Sequence, residues 1–207
     1  MRLPLLFIII IFISCGQNSS SKQETNDSLK KSTDTTGPQK KQPVDSSGNK
    51  PTSLAKQVNS ILNDQPGNKW HVLNDREGRW MSGQFDYFIA PKRKENPDYP
   101  YIAKGDFNGD GKTDIAALIT DSTKRNYQLA IILNSDDVTR KIVPWNEDID
   151  EDAAIALLPK TDVEGFEGER PKKIKMKADG ILVEYFETAS FVIYWNGSAF
   201  KRIQTGD

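Results

Sequence analysis

The chain of 207 residues contains one cysteine and one histidine. A single cysteine cannot close a disulfide within the chain or build a cysteine-rich zinc site. The lone histidine, His71, lies beside Trp70, and no serine sits in a nucleophile elbow, so no Ser-His constellation is legible. Charge of one sign is also missing. Twenty-eight basic residues face 29 acidic ones, a net charge of −1, and nothing marks a nucleic-acid surface. No internal repeat recurs, which excludes a self-contained propeller or solenoid. No pair of acids stands out as the two carboxylates of a glycosidase. No apolar run reaches the length of about 20 residues that a membrane-spanning helix needs.

The longest apolar run is at the start, MRLPLLFIIIIFISC. Arg2 supplies a short positive region and residues 3–13 a secretory-length apolar core. The run ends in Ser14-Cys15, and this end resembles a bacterial lipoprotein signal: apolar residues, a small residue, then the cysteine that receives lipid. Phe12 stands where such signals usually carry leucine. The resemblance implies cleavage after residue 14 and lipidation of Cys15, with acyl chains such as palmitate anchoring the protein to a membrane. Gly16 gives no aspartate-type inner-membrane retention signal, which points to the outer membrane. Residues 16–51 are rich in Ser, Thr, Lys, Gln and Asp, with only Leu29 and Val44 appreciably apolar. Such a stretch cannot offset its chain entropy by burial and reads as a disordered tether.

The sequence therefore divides into a signal peptide over 1–14, a lipidated cysteine and tether over 15–51, and a globular domain over 52–207. In the segment TSLAKQVNSILND, residues Leu54, Ala55, Val58, Ile61 and Leu62 fall on one helical stripe behind a Thr52 or Ser53 cap. Residues 70–73 and 84–90 read as strands, and 92–100 as a charged, proline-bearing loop. Beyond residue 101 come strand patterns over 115–120, 127–133, 138–145, 153–158, 181–187, 191–195 and 200–203. The run 172–177 alternates lysine with apolar residues, as an edge strand guarded by lysines does. The acidic run 147–152 reads as a solvated loop. Many short strands with short turns predict an α+β fold: mostly antiparallel β-sheet with an N-terminal amphipathic helix.

The segment with most chemical content is GDFNGDGKTDI, residues 105–115. Asp106, Asn108 and Asp110 alternate, and Asp114 follows after a gap. The pattern suits either a polar hairpin turn or a cage for a metal ion. Calcium takes six to eight oxygens at about 2.3–2.6 Å and tolerates irregular geometry. Gly109 and Gly111 free the backbone to curl, and the Lys112 carbonyl can face inward while its ammonium stays in water. Zinc would want histidine or cysteine, and none is near. An EF-hand would need an acid at the twelfth place, where Ala117 stands.

Residues 106–114 resemble the calcium loop of FG-GAP and VCBS-type repeats, the family of integrin-α propeller blades. The likeness covers about residues 101–133, with IAALI as the strand after the loop. It implies a calcium-loop β-hairpin whose ligands are Asp106, Asn108, Asp110 and Asp114 with the Lys112 carbonyl. The expectation for the whole chain is a cell-envelope lipoprotein whose domain binds one structural Ca²⁺ and a protein or glycan partner, without catalysis. An envelope hydrolase and an inhibitor of an envelope enzyme are the alternatives, the latter with 92–100 as its inserting loop.

Overall fold

The computed structural model describes residues 50–206 except 66, 81, 124, 125 and 148, all within the compact unit Val44–Asp207. The signal peptide, Cys15 and the tether up to residue 49 lie outside the described residues.

Helix α1 spans Ser53–Asn63. Thr52 caps it by accepting the Ala55 N–H through its side chain at 3.1 Å, satisfying one of the free donors of the first turn. Val58, Ile61 and Leu62 form its buried face. Strand β1 (Trp70–Val72) follows. A second helix, α2, begins as Ser82–Gln84, passes through a π-helical turn over Phe85–Ile89, and ends as Ala90–Glu95. Ten more strands follow among the described residues: β2 (Ile102–Gly105), β3 (Asp114–Asp121), β4 (Tyr127–Leu133), β5 (Lys141–Pro144), β6 (Ala153–Leu158), β7 (Asp162–Glu167), β8 (Arg170–Lys175), β9 (Gly180–Tyr185), β10 (Ala189–Trp195) and β11 (Phe200–Gly206).

Every strand pairing is antiparallel. The first sheet holds β3, β4 and β5 in order, with β1 and β2 sharing the free edge of β3. Strand β2 takes the first half of β3, from Gly105↔Asp114 to Ile102↔Ala117. Strand β1 takes the end, from Val72↔Ile119 to Trp70↔Asp121. The second sheet runs β6-β9-β10-β11-β7-β8, so lysine-rich β8 is an edge strand.

Alternation along the strands explains how the layers meet. Both faces of the first sheet are buried, Ile115 and Ala117 with Ile132 and Ala130 on one and Ala116 and Leu118 with Ile131 and Leu129 on the other. All belong to one cluster with Ile155, Ile181, Val183, Phe191 and Ile193 of the second sheet and the buried face of α1. The intervening residues of the second sheet face the other way. Ala154 packs with Ile89 and Tyr99, under α2. Val192 and Tyr194 pack with Val163, Met176 and Ile203. Thr120 is buried in β3, and its hydroxyl donates to the Asn126 carbonyl at 2.9 Å, as a buried polar group requires.

The helical course of residues 84–95 corrects two sequence expectations. In FDYFIA, residues Phe85, Tyr87 and Ile89 alternate like a strand, but Phe85, Phe88 and Ile89 also fit a helical stripe. The helix prevails: Ile89 is fully buried while Tyr87 is 84 % exposed. Residues 92–100 are accordingly not a protruding loop. Lys92 and Arg93 sit in the helix, and Tyr99 and Pro100 are buried.

Candidate metal centre

The loop 106–113 closes the β2–β3 hairpin beyond the pair Gly105↔Asp114. Its course follows from its side chains. Asp106 Oδ1 accepts the N–H groups of Gly109 (2.7 Å) and Asp110 (3.1 Å), and Oδ2 accepts that of Gly111 (2.9 Å). Asn108 Oδ1 accepts the Asp110 N–H at 2.9 Å, and Asp110 Oδ1 accepts the Lys112 N–H at 2.9 Å. Asn108 Nδ2 donates to Asp110 Oδ2 at 3.1 Å. To expose these donors the backbone turns left-handed at Gly109 (φ 79°) and Gly111 (φ 80°), where a side chain would be strained.

Asp114 occupies a different position. It is 0 % exposed at the root of the hairpin. Its Oδ2 accepts the Phe107 N–H at 2.9 Å and its Oδ1 the Asn134 N–H at 2.8 Å. Burial pushes its pKa above the usual carboxylate range, and the N–H groups of Asn134 and Phe107 oppose that shift. Phe107, also 0 % exposed, pins the first turn of the loop into the core.

Two neighbouring turns hold the loop. Thr113 O accepts both the N–H and the hydroxyl of Ser135, each at 3.0 Å. On the other side Asp179, between β8 and β9, makes a reciprocal pair. Its N–H donates to Asp106 O at 3.0 Å, and its Oδ2 accepts the Asp106 N–H at 3.1 Å. Its Oδ1 accepts the Lys160 N–H at 3.0 Å. Asp179 lies 65 positions after Asp114 (179 − 114), outside any local motif, and sequence reasoning missed it. Lys112 Nζ turns outward to Asp137 at 3.1 Å.

Of the five residues expected to hold an ion, Asp106, Asn108 and Asp110 are thus brought together with the Lys112 backbone, and Asp114 lies beneath them. Among the described residues no group of three Asp, Glu, His or Cys side chains converges on one point as a ready cage. The donor set is nonetheless hard oxygen, the kind that suits calcium. Asp106 Oδ1 already accepts two N–H groups, but Asp106 Oδ2, Asn108 Oδ1 and Asp110 Oδ1 accept one each and keep a second acceptor site, so an ion is compatible with the present hydrogen bonds.

The remaining polar candidates have structural partners. His71 Nε2 lies 2.9 Å from Oε1 of Glu77, a residue only 7 % exposed. In the acidic run, Glu151 pairs with Arg79 and Glu147 with Arg202, both at 2.7 Å. The chain matches no protein-family model, no curated protein and no solved structure.

Proposed function

We propose that this chain is a bacterial cell-envelope lipoprotein, anchored through Cys15, whose domain holds one structural calcium ion in the loop 106–114 and acts as a binding module. The observation that carries the reading is the loop itself. It turns the side-chain oxygens of Asp106, Asn108 and Asp110 inward on a hairpin and sets a buried carboxylate, Asp114, at its root. Carboxylates gathered in so short a loop repel one another, and a divalent cation relieves that repulsion. The loop is pinned to turns of both sheets, so the ion's role is to fix how strands meet. The anchor rests on the apolar run ending in Ser14-Cys15 and on the polar tether behind it.

Thermal unfolding of the full chain in calcium and in chelator tests the ion. Calcium at 100 times its dissociation constant adds about 2.7 kcal/mol of stability. An unchanged midpoint, together with no calcium by elemental analysis, removes the reading. Mass spectrometry of the membrane-extracted chain, with Cys15→Ala alongside, tests the anchor. The expected product begins at residue 15 and carries acyl chains that the variant lacks.

A further inference from the structure

A cavity of about 720 Å³ opens between α1, β1, α2 and the turn that leads into β2. It is far from trivial in size, within the range that small-molecule sites occupy. Its floor is apolar and buried, made by Val72, Leu73, Tyr99 and Ile102. Its rim is polar, and nearly every polar group there is already committed.

Arg93 is bound to Asp75 in a bidentate pair at 2.7 and 2.8 Å, and its Nε donates to the Tyr99 carbonyl at 2.8 Å. The His71 ring contacts Glu77, and Asn74 Nδ2 donates to the same carboxylate at 2.7 Å. Asn59 Oδ1 accepts the Val72 N–H at 2.8 Å. Two groups differ: the buried Tyr101 hydroxyl has no hydrogen-bond partner among the described residues, and Asp98 lacks a counter-ion. Asp98 is half-buried in the cavity wall, its Oδ1 accepts the Thr52 hydroxyl, and among the described residues no cation lies within ion-pair distance of it. The N-terminus of α1, which Thr52 caps, offsets part of this charge, and no counter-ion completes it. The rim lysines, Lys50 and Lys94, are exposed, where water and salt screen their charge.

We propose that this cavity binds a small molecule with an apolar or aromatic body and a protonated amine, the body on the apolar floor and the ammonium against Asp98. The site is independent of the 106–114 loop. Phe85, half-buried in the wall, offers aromatic surface that suits such a body.

The test is a titration of the full chain with three probes that share one body: 2-phenylethylamine, 2-phenylethanol and 3-phenylpropionate. Heats of binding and methyl chemical shifts of Ala55, Val72, Leu73 and Ile102 are read. The amine is expected to move these methyls and to bind at least about tenfold more tightly than the alcohol or the carboxylate, and Asp98→Asn brings it down to the alcohol. The comparison among probes needs no variant, so a folding defect in Asp98→Asn leaves it decisive. Equal affinity for the three, preference for the carboxylate, shifts confined to other residues, indifference to Asp98→Asn, or no binding would each overturn the proposal.

Discussion

Asp114 carries opposing demands on one side chain. Its two oxygens serve two backbone N–H groups, Phe107 and Asn134, at the point where the hairpin, the loop and the β4–β5 turn meet. Asn in its place keeps one acceptor and turns an amide N–H₂ against the other donor. The expected cost of Asp114→Asn is about 1–3 kcal/mol, that of a buried polar group left unsatisfied, measured by denaturant unfolding in chelator. The pH dependence has a definite sign. A carboxyl whose folded pKa is raised binds more protons in the folded than in the unfolded state. Its contribution is therefore fully present below the unfolded pKa, and is lost as pH rises from the ordinary carboxylate range through the raised folded value. In chelator, the stability of the wild type relative to Asp114→Asn falls across that window. A difference that rises instead contradicts the assignment. An ion bound above Asp114 favours the ionised form and flattens the same dependence.

At the scale of elements, the β7–β8 hairpin depends on a missing side chain. Strand β7 pairs with β11 at Phe166↔Gln204. One residue earlier, a Cβ on Gly165 would lie 2.0 Å from the Gln204 carbonyl oxygen and 2.9 Å from Ile203 Cγ1. Backbone cannot yield as a side-chain end can, so Gly165→Ala pushes β7 off β11 and costs about 1–3 kcal/mol. Gly83→Ala, which meets nothing within 4 Å, is the control and leaves the denaturation midpoint unchanged or slightly raised.

Elements also separate what the sequence displays from what it hides. Strands β3, β4, β9 and β10 are legible because apolar residues crowd 4–8-residue runs between turn signals. Strand β7, DVEGFE, is not: most of its residues are exposed, and only Val163 enters the core. It is held by pairing with β8, where Asp162↔Lys175 and Glu164↔Lys173 match opposite charges. Residues 84–90 satisfy two periods at once, and the choice falls to α2 packing over Ala154 of a strand far along the chain. The loop motif is local and so could be read from one window. Asp179 and the Asp98 cavity arise from segments that only the fold brings together.

At the scale of the molecule, the loop 106–113 joins parts that do not otherwise share a hairpin. Asp106 belongs to the connection that leaves β2, and Asp179 to the turn that enters β9 in the other sheet. Asp179→Ala removes the acceptor for two N–H groups, Asp106 and Lys160, and an expected loss of about 2 kcal/mol follows. Calcium titration of the same variant gives a weaker affinity although this side chain is no expected ligand, because it positions Asp106. Wild-type stability in the variant shows that the sheets are held by apolar packing alone.

The edge of β3 that β1 and β2 share has a consequence in time. Strand β2 reaches β3 through a short loop, and β4 follows as a second hairpin, so this meander closes locally. Strand β1 meets the same edge from 47 positions away, Val72 to Ile119 (119 − 72). Loop closure costs more entropy for the distant partner, and contacts of low sequence separation assemble first. The β2–β3–β4 meander, with the ion loop at its tip, is thus the early piece. The layer of α1 and β1 is the late one, and the cavity it walls exists only once the last strand has docked.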